Sequence, residues 1–349
     1  MAIMEYVSDP TDELEIFRAI ILYGKNTASY KFALGKALIQ LAREDKTFVS
    51  LEDLAMPFAQ SIIEHVKAGK RQTVTASSKF LYGCQLYAEN KIDDDQLIQL
   101  TKKEGFKYVI DAFPNLGSDI DNQPVFYHKS LHGQKGIELT DHLYRLVQNT
   151  QINNIAEEIE GRWNLVEASW TENKASLLIE YDDVDELFVS RGLSDRGYLD
   201  SHLRKAVTAA RRPLSGYQKG KCFYCYDDIS IEANQPNTAQ VDHFLPISLQ
   251  SRVVTKVHLN LNDIWNLVLA CKSCNASKSN RTPSIDFLYD LERRNNYYIS
   301  SKHPLGETIQ FLTGRSVRHR RHYLKEVYSI AREASALGWK PKLRKGMPF

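Results

Sequence analysis

Apolar residues recur at three- and four-residue spacing through most of the first half of the chain. The period is clear over residues 11–23 and over 28–43, ASYKFALGKALIQLAR, and predicts amphipathic helices there. SLED at 50–53 has the form of a capping box with Asp53 in the Glu position, and it opens a helix running to about residue 67. The same spacing continues over 76–90 and 94–113. It breaks at the loop PNLGSDIDNQP, 114–124, and VFYHKS then reads as a short strand. Helices are expected over 138–149 and 151–172, and LLIEYDD at 177–183 reads as another short strand.

Past RGLSDRG, 191–197, the pattern changes. A basic helix is expected to lead through DSHLRKAVTAARRPLSGYQKGKC into a Gly-bearing turn. Two short apolar runs, VDHFLPIS at 241–248 and NLVLA at 266–270, read as strands, and the polar NASKSNR that follows is helix-like. The last clear element is SVRHRRHYLKEVYSIAREASALG. Ser316 caps it and Gly338 ends it, with Val317, Tyr323, Val327, Ile330, Ala334 and Leu337 as its apolar stripe. The fold expected is mainly α with a small α+β domain. Residues 1–190 form a helical domain, and 191–349 form a second domain with its core at 220–282.

Charge and composition sharpen this picture in two places. The net charge of +2 conceals an acidic stretch, residues 151–195, with eleven acids and three bases, and a basic one, 315–345, with ten Lys or Arg against Glu326 and Glu333. A basic segment of that kind is a solvated face or an electrostatic footprint for nucleic acid. No apolar run approaches the length of a membrane span, and the opening MAIMEYVSDPTDELE lacks a signal pattern, so a soluble, cytoplasmic protein is expected.

Four of the five cysteines form two pairs, Cys222/Cys225 and Cys271/Cys274, each with two residues between. A CxxC pair bites one metal with a tight turn, and two pairs complete a tetrahedral shell with no open position, which marks a structural Zn²⁺ site. Cys84 reads as a small buried apolar residue of a helix. Asp242 and His243 lie between the cysteine pairs, Asn266 opens the second strand, and Asn275 follows the last cysteine directly. A neutral His can take a proton from water near pH 7, and an Asp carboxylate beside it is a hard ligand for Mg²⁺ or Mn²⁺. Asn275 can add an amide oxygen from the helix start.

The order CFYC, VDHFLP, NLVLACKSCN and Lys278 resembles the HNH endonuclease family over about residues 222–280. The flanking RRPLSGYQKGK and LERRNNYYISSKHPLGETIQFLTG extend the likeness. The resemblance implies a ββα-metal fold, a hairpin packed on a helix around a divalent ion. It implies His243 as general base, Asp242 and Asn275 as ligands of a catalytic Mg²⁺ or Mn²⁺, and Asn266 as support for the hairpin and the base. Many members have His where Asn275 stands, so this is an H-N-N form. Lys278, Arg281, Arg318, Arg320 and Arg321 are expected to meet phosphates, with DNA as the substrate. His319 and His322 join that basic surface, and His258 reads as a surface histidine. The subgroup resembled includes bacterial anti-phage effectors. That implies a restraint on the nuclease, either a partner protein or a regulatory, sensing or docking role for residues 1–190. Two other readings stay open: a non-catalytic zinc-stabilised nucleic-acid-binding or assembly module, and a nuclease directed at RNA.

Overall fold

The computed structural model describes residues 2–23, 26–75, 77–116, 120–130, 133–171, 177–182, 186–191, 205–250, 260–334 and 338–346, with backbone alone for 177–208. His258, Arg204, Leu337 and most of RGLSDRG lie outside these residues. Two units emerge. One is Val7–Asn173; the other joins Met1–Tyr6 to Lys174–Phe349. The sequence placed the division at 190/191 and assigned nothing before it to the second unit.

The short helix α1 (Ala2–Tyr6) belongs with the later residues. Tyr6 is fully buried, donates its hydroxyl to the Gly216 carbonyl at 2.7 Å and meets the Tyr297 ring edge-on. The unit Val7–Asn173 contains α2 (Glu13–Leu22), α3 (Tyr30–Ala42), β1 (Phe48–Ser50), α4 (Leu51–Lys67), α5 (Lys79–Ala88), α6 (Asp94–Leu100) and α7 (Phe106–Ala112). It continues with β2 (Tyr127–Ser130), β3 (Gly136–Leu139), α8 (Asp141–Gln148) and α9 (Ile152–Thr171). The predicted helices are therefore present, each trimmed at its ends. Ser50 caps α4 as SLED predicts, accepting from the Asp53 backbone N–H at 3.0 Å. A π turn at Thr101–Gly105 splits the helix expected over 94–113. The strands β1, β3 and β2 form a small antiparallel sheet in that order.

A polar knot lies inside this helical core. His65 of α4 stacks on Trp163 of α9, ring centroids 3.9 Å apart and nearly parallel. Its Nε2 lies 2.9 Å from Glu160 and its Nδ1 2.7 Å from Glu167. Trp163 in turn donates to Gln72 at 2.9 Å. Burial alone pulls the imidazolium down, but carboxylates at both ring nitrogens outweigh it and raise the pKa above the usual 6.5.

The second unit continues with β4 (Leu177–Asp182), β5 (Glu186–Arg191) and β6 (Lys205–Thr208), an antiparallel sheet in that order. Residues 205–208 were expected to be helical. They pair with β5 instead, and helix α10 is confined to Arg211–Ser215. Next come the antiparallel ribbon β7 (Gln240–His243) and β8 (Leu267–Ala270), then α11 (Lys272–Lys278), α12 (Ile285–Ser300), α13 (Pro304–Thr313) and α14 (Val317–Ala334). On α14 the buried face is Arg320, Leu324, Val327, Tyr328 and Ala331. Val317, expected in the stripe, is half exposed. No described helix is long and apolar enough to cross a membrane.

A raised histidine pKa stabilises the fold fully below pH 6.5 and ceases to do so as pH rises through the folded value. His65→Gln is expected to lower unfolding stability by about 3 kcal/mol at pH 6 and by clearly less at pH 9. Urea unfolding of both chains at the two pH values checks this.

Candidate active site and zinc centre

β8 explains why NLVLA is apolar without alternation. All four residues of Leu267–Ala270 are completely buried, as in a strand covered on both faces. One edge pairs with β7 in the register Gln240–Ala270 to His243–Leu267. Among the described residues no strand lies along the other edge. Its backbone is met by Gln218, which accepts from Leu269 N and donates to Leu269 O, both at 2.9 Å. Arg294 of α12 donates to Leu267 O at 2.7 Å and to Trp265 O at 3.1 Å.

The ribbon's connection is held by Asn266, which is completely buried. Its Oδ1 accepts from Leu245 N at 2.8 Å, and its Nδ2 donates to Leu245 O at 2.9 Å and Leu261 O at 2.8 Å. One carboxamide thus ties the exit of β7 to the return into β8.

Neighbouring residues of a strand point to opposite faces, and β7 uses both. Gln240 and Asp242 face α11. Gln240 accepts from Asn275 Nδ2 at 2.9 Å, which leaves the Asn275 carboxamide oxygen as the atom to meet an ion. Asp242 is buried. Its Oδ2 accepts from Tyr224 Oη at 2.6 Å, and its Oδ1 lies 3.1 Å from Lys278 Nζ. Burial raises the Asp242 carboxyl above the usual carboxylate range against the opposing pull of Lys278 and Tyr224, and burial likewise lowers Lys278. His243, half buried at the strand end, meets Asn262 through Nε2 at 2.8 Å.

The cysteine tetrad brings the two CxxC pairs together. All four Sγ atoms lie within 4.8 Å of one another, and Cys225 and Cys271 are 3.8 Å apart. A tetrahedron of thiolates at Zn–S of about 2.3 Å has edges of about 3.8 Å, so the cluster fits zinc. Backbone N–H groups support the sulfurs. Cys271 N points to Cys222 Sγ at 3.3 Å and Cys274 N to Cys271 Sγ at 3.4 Å, the latter capping α11. Asp242 and Asn275 offer hard oxygen donors, the chemistry that suits Mg²⁺ or Mn²⁺.

Residues 222–284 match the family model described as HNH endonuclease. This segment is an HNH endonuclease domain. An HNH domain supports nuclease activity in general, and the match begins at the first zinc cysteine. No curated protein and no solved structure matches the chain.

Two expected phosphate contacts of the HNH domain and its flank are placed otherwise. Lys278 is completely buried, its ammonium spent on Asp242 and on the His243 carbonyl at 2.7 Å. Arg320 is almost as buried and donates to Asn296 and to the carbonyls of Gly314 and Arg315, closing the α13–α14 turn. Arg318 is exposed, and Arg321 is partly exposed beside Glu292 at 2.8 Å. Arg281 is exposed and leans on the Ser277 carbonyl. Three cations of the basic segment's tail are paired within the same unit. Lys340 pairs with Asp286, Arg344 with Asp290, and Lys345 with Asp227, each within 2.8 Å. Sequence reasoning missed Tyr224 and Asn262. The signal for Tyr224 is a hydroxyl inside a knuckle loop, which needs a partner once buried; Asn262 has no signal apart from the fold.

The purified chain is expected to hold one zinc, measured by elemental analysis, and Cys274→Ser to lose it. Asn266→Ala orphans three buried backbone groups and should lower stability by roughly 3 kcal/mol, read from the urea midpoint.

Proposed function

We propose that the protein is a metal-dependent endonuclease that hydrolyses DNA phosphodiester bonds. The observation that carries this reading is the end of β7, where Asp242 faces α11 and His243 faces Asn262 from the opposite side. His243 acts as general base. With one ring nitrogen directed at Asn262, the other takes the proton of the attacking water. Asp242 and Asn275 would hold the ion, which when bound offsets charge on the scissile phosphate and the leaving oxygen. Asn266 does not touch the reacting atoms and positions the loop that carries Asn262. Lys and Arg on phosphates supply affinity and make it salt-dependent. The exposed Arg318, His319, His322 and Lys325 of α14, with Arg321 and Arg281, suit that task.

Residues 7–173 are read as the regulatory or docking part, and bacterial defence as the setting. The resemblance of the HNH segment supports both. One observation favours a second reading, a zinc-stabilised nucleic-acid-binding module without catalysis: the only carboxylate facing α11 from β7 is already paired with a buried lysine.

Supercoiled plasmid incubated with the full chain and Mg²⁺ or Mn²⁺ is expected to be nicked or linearised, and EDTA to stop it. His243→Ala should slow cleavage by roughly 10²–10⁴-fold while leaving DNA binding in place. A zinc-loaded wild type that retards DNA on a gel but never cuts it, with either metal, would establish the module instead. Matched RNA in the same assay decides the substrate class.

A further inference from the structure

Lys278 occupies the side of Asp242 that faces α11. It lies one turn after Asn275 on α11, completely buried, with its Nζ 3.1 Å from Asp242 Oδ1 and 2.7 Å from the His243 carbonyl. The other Asp242 oxygen accepts from Tyr224 at 2.6 Å. Around Asp242 the chain therefore offers one carboxylate, an adjoining ammonium, a phenol and the neutral carboxamides of Gln240 and Asn275. Among the described residues, the only group of three or more His, Cys, Asp or Glu with metal-binding geometry is the cysteine tetrad. Tight all-protein cation sites gather several anionic oxygens, whereas Mg²⁺ commonly relies on one or two carboxylates plus substrate phosphates. Here the one anion is already countered.

We propose that Lys278 is the standing counter-cation of Asp242, so that the free protein binds a divalent ion weakly and captures it together with a phosphodiester. The inference rests on the nuclease reading and names a control on its ion. A carboxylate oxygen has about two acceptor positions, and each oxygen of Asp242 gives one to the protein. Each oxygen keeps a position for an ion, which would arrive beside a fixed positive charge that burial shields from salt. A phosphodiester brings the negative charge that Lys278 cancels. Tyr224 fixes the other side of the carboxylate and keeps it from turning away from α11.

Mn²⁺ binding to the zinc-loaded full chain, followed by electron paramagnetic resonance, tests this. The background is His243→Ala, which keeps a short DNA duplex uncut. Without DNA, Mn²⁺ affinity is expected in the millimolar range, and the duplex should tighten it by about tenfold or more. Lys278→Gln keeps a hydrogen-bond donor and removes the charge. It should tighten Mn²⁺ binding to the free chain by about tenfold or more and shrink the contribution of DNA. Unchanged or weaker binding in a zinc-loaded Lys278→Gln chain would overturn the proposal. So would micromolar, DNA-independent binding in the chain that retains Lys278, which decides the matter even if the variant does not fold. If plasmid is cut while either result holds, only this inference fails. If Mn²⁺ binds in no case and plasmid stays intact, the nuclease reading fails and takes this inference with it.

Discussion

A completely buried strand that pairs with a single strand among the described residues has to satisfy its remaining backbone groups by other means, and β8 is such a strand. An unpaired buried N–H or C=O costs on the order of 1–3 kcal/mol, so the open edge cannot simply be left. Gln218 supplies both a donor and an acceptor, as a third strand would, and Arg294 reaches across from α12 to the first carbonyl of the strand. Arg294 is itself fully buried, and burial lowers its pKa, yet it lies over the Tyr298 ring and gives its protons to backbone carbonyls. These two side chains let a two-stranded ribbon serve as the floor of a site. They also explain the stretch that leads into the first cysteine, where YQKGK places Gln218 just ahead of the knuckle.

The zinc centre and the Asp242 site share residues more closely than their spacing along the chain suggests. Tyr224 lies between Cys222 and Cys225, yet its hydroxyl holds Asp242. Trp339 meets Tyr224 edge-on and stacks on Phe287, and Lys345 N donates to Cys225 O at 2.9 Å. The knuckle is thus clasped from the C-terminal side by a segment whose charges looked, in the sequence, like part of a nucleic-acid footprint. Lys340, Arg344 and Lys345 face acids of the same unit, and α14 presents the exposed Arg318, Arg321 and Lys325.

Much of this was legible from local signals. Period and capping gave the helices of residues 13–171: α4 buries one face, which is what a 3.6-residue period records, while α2 and α3 are buried on nearly every side. The cysteine spacing gave the metal tetrad, since a CxxC turn has few other uses at that geometry. The order of Asp242, His243, Asn266 and Asn275 gave the ribbon and helix. What stayed hidden depends on long-range contacts. The strand at 205–208, KAVT, holds one basic residue and is too short to show an alternating pattern. The burial of Lys278 and Arg320 could not be read because a lysine or arginine is exposed by default, and only the packed fold shows an internal acceptor waiting for each. The partners of Asp242 and His243, Tyr224 and Asn262, lie about twenty residues from them on either side.

Tyr6 has a consequence for how the whole molecule is strung. Residues 1–6 group with the unit that carries the HNH segment, and the chain then builds Val7–Asn173 before returning. The helical unit is therefore an insertion within the other one rather than a neighbour on a single linker. The first six residues are thus part of the unit that carries the zinc cysteines: Tyr6 is buried there and meets Gly216, six residues ahead of Cys222.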